Sequence, residues 1–186
     1  MDVGTDFVPP VIDWYALSPY IVLLAGALVL LLVGSLTPRW PKGWYAILTA
    51  LTAGGAGVVA AIQFAGLGDE EPRSLMKGVL AHDRFGLLAV VALCVAVVIT
   101  SMMASDNAVS DAQRAETDSL EPYALLLTAA LGAAVMVTSN DLVVSFLGIE
   151  ILSISMYVLA ASDRRRATSH EAGQIGGTGL RRRLPR

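Results

Sequence analysis

An all-α integral membrane protein with five transmembrane helices is the fold class this chain predicts, and three observations carry it. Hydrophobic residues make up 55% of the 186 and charged residues only 16%, against about 25% charged in an ordinary soluble domain. The charges are segregated: long stretches hold none, and the polar segments between them hold nearly all. Finally, five apolar runs each approach the roughly 20 residues a helix needs to cross a hydrocarbon core. These runs are continuous rather than alternating, which argues against membrane strands, whose open edges cannot face lipid.

Residues 1–18, MDVGTDFVPPVIDWYALS, hold three aspartates and neither Lys nor Arg. A secretory signal needs a basic start, so this segment is expected to be an outside N-terminal segment instead. Residues 19–104 carry three leading spans, Tyr20 to Leu36, Trp44 to Gly66 and Phe85 to Ala104. Pro19 and Pro122 stand near helix starts, where a missing N–H costs little. The second span contains LTAGGAGVVAA, a block of small residues that lets helices approach closely in lipid. Residues 105–120 are polar, mixed in charge and without apolar periodicity, and are expected to form a cytoplasmic linker. Residues 121–161 hold the fourth and fifth spans, Glu121 to Thr138 and Leu142 to Ala161. Residues 162–186 form a cytoplasmic tail whose last part, 174–186, is Gly- and Arg-rich.

Orientation follows from Lys and Arg. Alternation of five spans puts Arg39, Lys42, Arg114, Arg164 to Arg166, Arg181 to Arg183 and Arg186 on one side, ten of the thirteen basic residues. Arg73, Lys77 and Arg84 fall on the other. The N-terminus is thus expected outside and the C-terminus inside. Trp14, Tyr15, Trp40, Trp44 and Tyr45 lie where an interfacial aromatic belt belongs.

One residue resists the lipid reading. Glu150 sits near the centre of LVVSFLGIEILSISMYVLAA, residues 142–161. With a helix start near Asp141, a rise of about 1.5 Å per residue places it about 13–14 Å deep, near the midplane. An acidic residue there costs about 2.5–3.5 kcal/mol on insertion scales. Protonation reduces that cost, because desolvation raises a carboxyl pKa; a basic partner or a hydrated cavity reduces it otherwise. At 100° per residue Ser139, Val143, Phe146, Ser153 and Tyr157 fall within about 60° of Glu150. That stripe suggests an internal face, with Ser139, Ser153 and Tyr157 as path-lining candidates and Glu150 as the proton-transfer group. Neither Lys nor Arg occurs inside the five apolar runs, so they contain no basic partner for it.

Other polar residues read more plainly. Cys94 is a small packed hydrophobe, and neither a disulfide framework nor metal-ligand spacing exists. His82, Asp83 and Arg84 read as solvated charges at the mouth of the third helix, and His170 and Glu171 as solvated tail residues. Arg164 to Arg166 read as a topological anchor, with anionic headgroups the other reading. The basic cluster lacks interleaved aromatics, so nucleic acid is not an expected partner.

The stretch EPYALLLTAALGAAVMVTSNDLVVSFLGIEILSISMYVLAASDRRRATSHEAG, residues 121–173, resembles the antiporter-like subunit N of bacterial NADH-quinone oxidoreductase, respiratory complex I. YALLL, SNDL, FLGIE, LS and YVLAA occur in order, with SHEAG after a basic loop. IDWYALSPYIVLLAGALVLLLVG also looks like that subunit's first helix. The resemblance implies the N-terminal part of an antiporter-like fold of about fourteen helices, in which three leading helices precede two inverted five-helix repeats. It implies that Glu150 matches the family's fifth-helix glutamate, which pairs with a lysine on the seventh helix. It implies a multi-pass bacterial plasma-membrane subunit, with other membrane-arm subunits of complex I and the lipid bilayer as partners. NADH, FMN, iron–sulfur clusters and quinone are then expected in other subunits, with neither cofactor nor metal in this chain. After SHEAG the chain departs from the family and reads QIGGTGLRRRLPR, so the expectation is a frameshifted or prematurely ended form that does not pump alone. The alternatives are a cation/proton antiporter or membrane-hydrogenase subunit, a small oligomeric transporter built around Glu150, and an inactive membrane remnant.

Overall fold

The computed structural model describes residues 12–36, 43–67, 73–110 and 120–181. Within these, α1 (Trp14–Leu36), α2 (Trp44–Gly66), α3 (Arg84–Ser110), α4 (Glu121–Thr138) and α5 (Leu142–Arg181) follow in chain order. All five contain a stretch long and apolar enough to cross a membrane. Their outward faces carry exposed large apolar residues such as Leu32, Leu51, Val58, Ile62 and Leu88. So extensive an apolar surface suits hydrocarbon rather than water.

The first helix begins six residues before the expected Tyr20, because Asp13 caps it. Its Oδ1 accepts from the backbone N–H of Tyr15 at 3.1 Å and of Ala16 at 3.2 Å, satisfying donors that a helix start leaves free. Pro19 consequently lies inside α1 rather than at its start. A proline there supplies no N–H to the carbonyl four residues back, that of Tyr15. Two side chains take over. The Ser18 hydroxyl donates to Tyr15 O at 2.6 Å, and the Gln63 amide of α2 donates both to that carbonyl and, at 3.0 Å, to Ser18 Oγ. A neighbouring helix thus makes the internal proline tolerable, as membrane helices require.

Along α2, Tyr45, Ala46, Thr49, Ala53, Ala56, Ala60 and Gln63 face the core. Tyr45 is therefore no part of a lipid-facing aromatic belt: it is 3% exposed, whereas Trp14, Tyr15 and Trp44 are open. Adjacent residues on a helix diverge by about 100°, so Trp44 and Tyr45 cannot share a face. Half of the small-residue block does helix packing. Gly57 lies against Cys94, where a Cβ would stand 3.0 Å from that of the cysteine, while Gly54 and Gly55 face open space. Cys94 is buried, as its reading as a packed hydrophobe requires.

The third helix runs on to Ser110, so the first residues of the expected 105–120 linker are helical, and 111–119 lie outside the described residues. The α5 helix likewise continues past Ala161 to Arg181. Between α2 and α3 lie two strands that hydropathy does not signal, β1 (Arg73–Leu75) and β2 (Leu80–His82), an antiparallel pair in register Arg73↔His82, Ser74↔Ala81 and Leu75↔Leu80. Being short and between spans, this hairpin does not offend the rule against open sheet edges in lipid. The turn within it takes Met76 and Gly78 into positive φ, 50° and 97°, the region glycine enters freely and methionine does not.

The hairpin sits over one end of the helix bundle. Leu80 forms an antiparallel bridge with Ser139, and the Asn140 N–H donates to Val79 O at 2.9 Å. At the same end the Tyr20 hydroxyl of α1 donates to Thr138 Oγ1 of α4 at 2.9 Å, and the Arg84 guanidinium lies 4.9 Å from the centre of the Phe64 ring. These contacts join the start of α1, the end of α2, the start of α3 and the end of α4, which makes consecutive helices antiparallel. The fourth helix is central, touching α1, α2, α3 and α5, whereas α5 rests chiefly on α4.

Candidate proton-transfer site

The site begins at the turn 139–141. The Asp141 carboxylate accepts from the Val143 N–H at 2.7 Å and the Asp141 carbonyl from the Ser145 N–H at 2.9 Å. This Asx cap fixes the start of α5 where the sequence places it. Ser139 is committed to the same turn: its hydroxyl donates to Asp141 O at 2.7 Å and accepts from the Asp141 N–H at 3.3 Å.

Eight residues into α5, about 12 Å along its axis, comes Glu150. What decides its direction is the contact two residues earlier, at Gly148. A Cβ on Gly132 of α4 would stand 2.7 Å from the Leu152 nitrogen and 2.8 Å from the Gly148 oxygen; one on Gly148 would stand 2.9 Å from both the Gly132 oxygen and the Met136 nitrogen. The two backbones therefore meet with nothing between them, the arrangement small residues permit in membrane helices. Ser155, on the same side of α5, is 3% exposed and donates to Ile151 O at 2.8 Å.

Glu150 lies two residues, or about 200°, from Gly148, and so points away from α4. It is exposed, as are Val143, Phe146 and Tyr157, while Ser153 is half-buried. The helix thus brings Glu150, Ser153 and Tyr157 to one side and leaves Ser139 in the turn below. The stripe expected to line an internal path lies on the outer face of the five-helix unit. Among the described residues the Glu150 carboxylate has neither a hydrogen-bond nor an ion-pair partner. An acidic residue at such depth in hydrocarbon costs about 2.5–3.5 kcal/mol on insertion scales.

The other polar readings divide. His82 is 9% exposed, in β2 rather than solvated. Asp83 caps α3, its Oδ1 accepting from the Gly86 N–H at 2.8 Å. Arg84 spreads over Phe64. The side chains of Arg164 to Arg166, His170 and Glu171 lie outside the described residues. Among the described residues no group of three His, Cys, Asp or Glu is placed to hold a metal ion. Sequence reasoning missed Gln63, Thr138 and the Gly132–Gly148 crossing. A lone amide in an apolar helix, and a glycine two residues from the buried-depth acid, were the available signals.

Five apolar helices, and a carboxylate midway along the last, define a polytopic integral membrane protein of all-α class. No protein-family model matches the chain. Individual relatives do. It is 32% identical over 162 residues to NADH-quinone oxidoreductase subunit N of Myxococcus xanthus, covering 87% of this chain and 30% of the relative. It is 30% identical over 185 residues to the subunit of that name in Cutibacterium acnes, covering 90% of this chain and 34% of that one. The Deinococcus radiodurans subunit N is 34% identical over 173 residues, 90% of this chain and 33% of its own length. The chain spans about a third of the length of the curated relatives it matches. Across that span it is similar to NADH-quinone oxidoreductase subunit N of diverse bacteria.

Proposed function

We propose that the chain forms part of the membrane arm of a proton-translocating NADH-quinone oxidoreductase, and that Glu150 binds and releases protons there. The observation that carries the reading is the position of Glu150: a carboxylate about 12 Å into a spanning helix, without a partner among the described residues, in a chain similar to subunit N. An ionisable group at such depth is costly and is a functional site by default. Ser153 and Tyr157, on the same side of α5, are the hydroxyls that would relay or solvate the proton, and Ser139 marks the end of the helix from which water would approach. NADH, FMN, the iron–sulfur clusters and quinone are assigned to other subunits, so this chain moves protons rather than electrons. Other membrane-arm subunits and lipid are its partners.

The basic-residue asymmetry supports a bacterial plasma-membrane orientation with residues 1–18 and the hairpin end outside. Residues 105–120 and 162–186 then lie in the cytoplasm. The test of the central claim is Glu150→Gln in an intact oxidoreductase whose subunit N carries this sequence. Glutamine keeps the shape and removes the titration, so proton translocation per NADH oxidised should fall several-fold while assembly is retained. Unchanged translocation in an assembled complex would remove Glu150 from the mechanism.

A further inference from the structure

We propose that Gly132 and Gly148 form a positioning element for Glu150, setting the rotation of α5 that decides what the carboxyl faces. The inference rests on the proton role proposed above and adds the residues that aim the group. Its basis is the reciprocity of the crossing. A Cβ on either glycine meets backbone of the partner helix, at 2.7–2.9 Å, rather than the far end of a flexible side chain. Backbone cannot rotate out of the way, so an added methyl must displace or turn a helix. Gly148 and Glu150 are two residues apart, so the surface that seats the helix and the group it presents lie on nearly opposite faces.

A small turn has a large effect at the carboxyl. At a side-chain radius of about 5–6 Å, a rotation of about 20° carries the carboxyl about 2 Å sideways, enough to change which groups it meets. The neighbourhood it leaves contains few competing charges. The α4 helix, against which α5 packs, carries Glu121 and Tyr123 in its first turn, far from the crossing; Asp141 stands just before α5, which carries Tyr157 two turns on from Glu150 and, past its apolar run, Asp163 and Arg164 to Arg166. Gly54 and Gly55 are the internal control, since a Cβ on either meets nothing within 4 Å.

The experiment uses the full chain in phosphatidylcholine vesicles and dicyclohexylcarbodiimide, a lipid-soluble reagent that adds to protonated carboxyls; Glu150→Gln sets the background. The pH midpoint of labelling at Glu150 should be the same in the parent and in Gly54→Ala. In Gly148→Ala and in Gly132→Ala it should move by about half a pH unit or more, as a changed polarity or charge environment dictates. Where an alanine variant fails to insert, Met136→Gly opens the same crossing without adding an atom and should also move the midpoint. Midpoints unchanged in inserted chains of normal helix content would overturn the assignment. A failure of the proton role looks different: translocation in the intact oxidoreductase would ignore Glu150→Gln while the glycine-dependent shift in labelling persisted.

Discussion

The helices α4 and α5 are consecutive, joined by a three-residue turn and similar in apolar content, yet their surroundings are opposite. Half of the spanning window of α4 is buried inside the five-helix unit, against 11% of that of α5. The inner helix is built mostly of alanine, glycine and leucine, and its one mid-span hydroxyl, on Thr128, is spent on the Ala124 carbonyl of its own backbone. The outer helix meets α4 along one narrow seam and turns Glu150, Phe146 and Tyr157 away from it. Comparable hydropathy thus conceals two jobs. One helix holds neighbours together, and the other displays a titratable group from a firm seat.

The contrast can be broken most sharply at the seam. Gly132→Leu puts a branched side chain where even a Cβ meets backbone, and should destabilise the chain by about 2–4 kcal/mol, measured by reversible denaturation in mixed detergent. Leu127→Ala in α4 should follow closely, at about 2–4 kcal/mol, because Leu127 is fully buried and its removal leaves a cavity. The same change at Leu147 of α5, which is 56% exposed, should cost less than about 0.5 kcal/mol. Equal losses at the two leucines would erase the distinction between the helices. Glu150→Leu should do the reverse and favour insertion by about 2 kcal/mol, since it removes an acid from lipid depth; a translocon-insertion assay reads this directly. A smaller effect is expected at the hairpin end. Removing the Tyr20–Thr138 bond by Thr138→Val should cost about 1 kcal/mol, with a coupling of similar size to Tyr20→Phe in a double-mutant cycle.

Much of this was legible in the sequence because lipid imposes length and apolarity on every span. The second and fourth helices, Trp44–Gly66 and Glu121–Thr138, have the bounds their apolar runs predict. Asp141 announced the start of α5 through cap chemistry, and Glu150 stood out by its expense. Hydropathy could not tell which side of a span meets protein. Tyr45 looked interfacial and is core, His82 looked solvated and is buried, and the stripe around Glu150 looked internal and faces outward. The α1 boundary failed for a related reason. Pro19 reads as a start signal in isolation, and the Asp13 cap together with Ser18 and Gln63, 45 residues apart, makes it an interior residue. The hairpin escaped because three-residue strands carry too little periodicity to register.

The hairpin has a mechanical meaning. The Asn140 N–H to Val79 O bond and the Leu80–Ser139 bridge fix the foot of α5, and the Gly132–Gly148 crossing grips it again about 9 Å further along. Two bearings determine the line of a shaft. Glu150 sits about 3 Å beyond the second bearing, where bending displaces it least. Further along, Ser155, 3% exposed, keeps the helix seated on its neighbour. A spin-label series over residues 142–161 should accordingly find its stillest stretch between the foot of the helix and the acid.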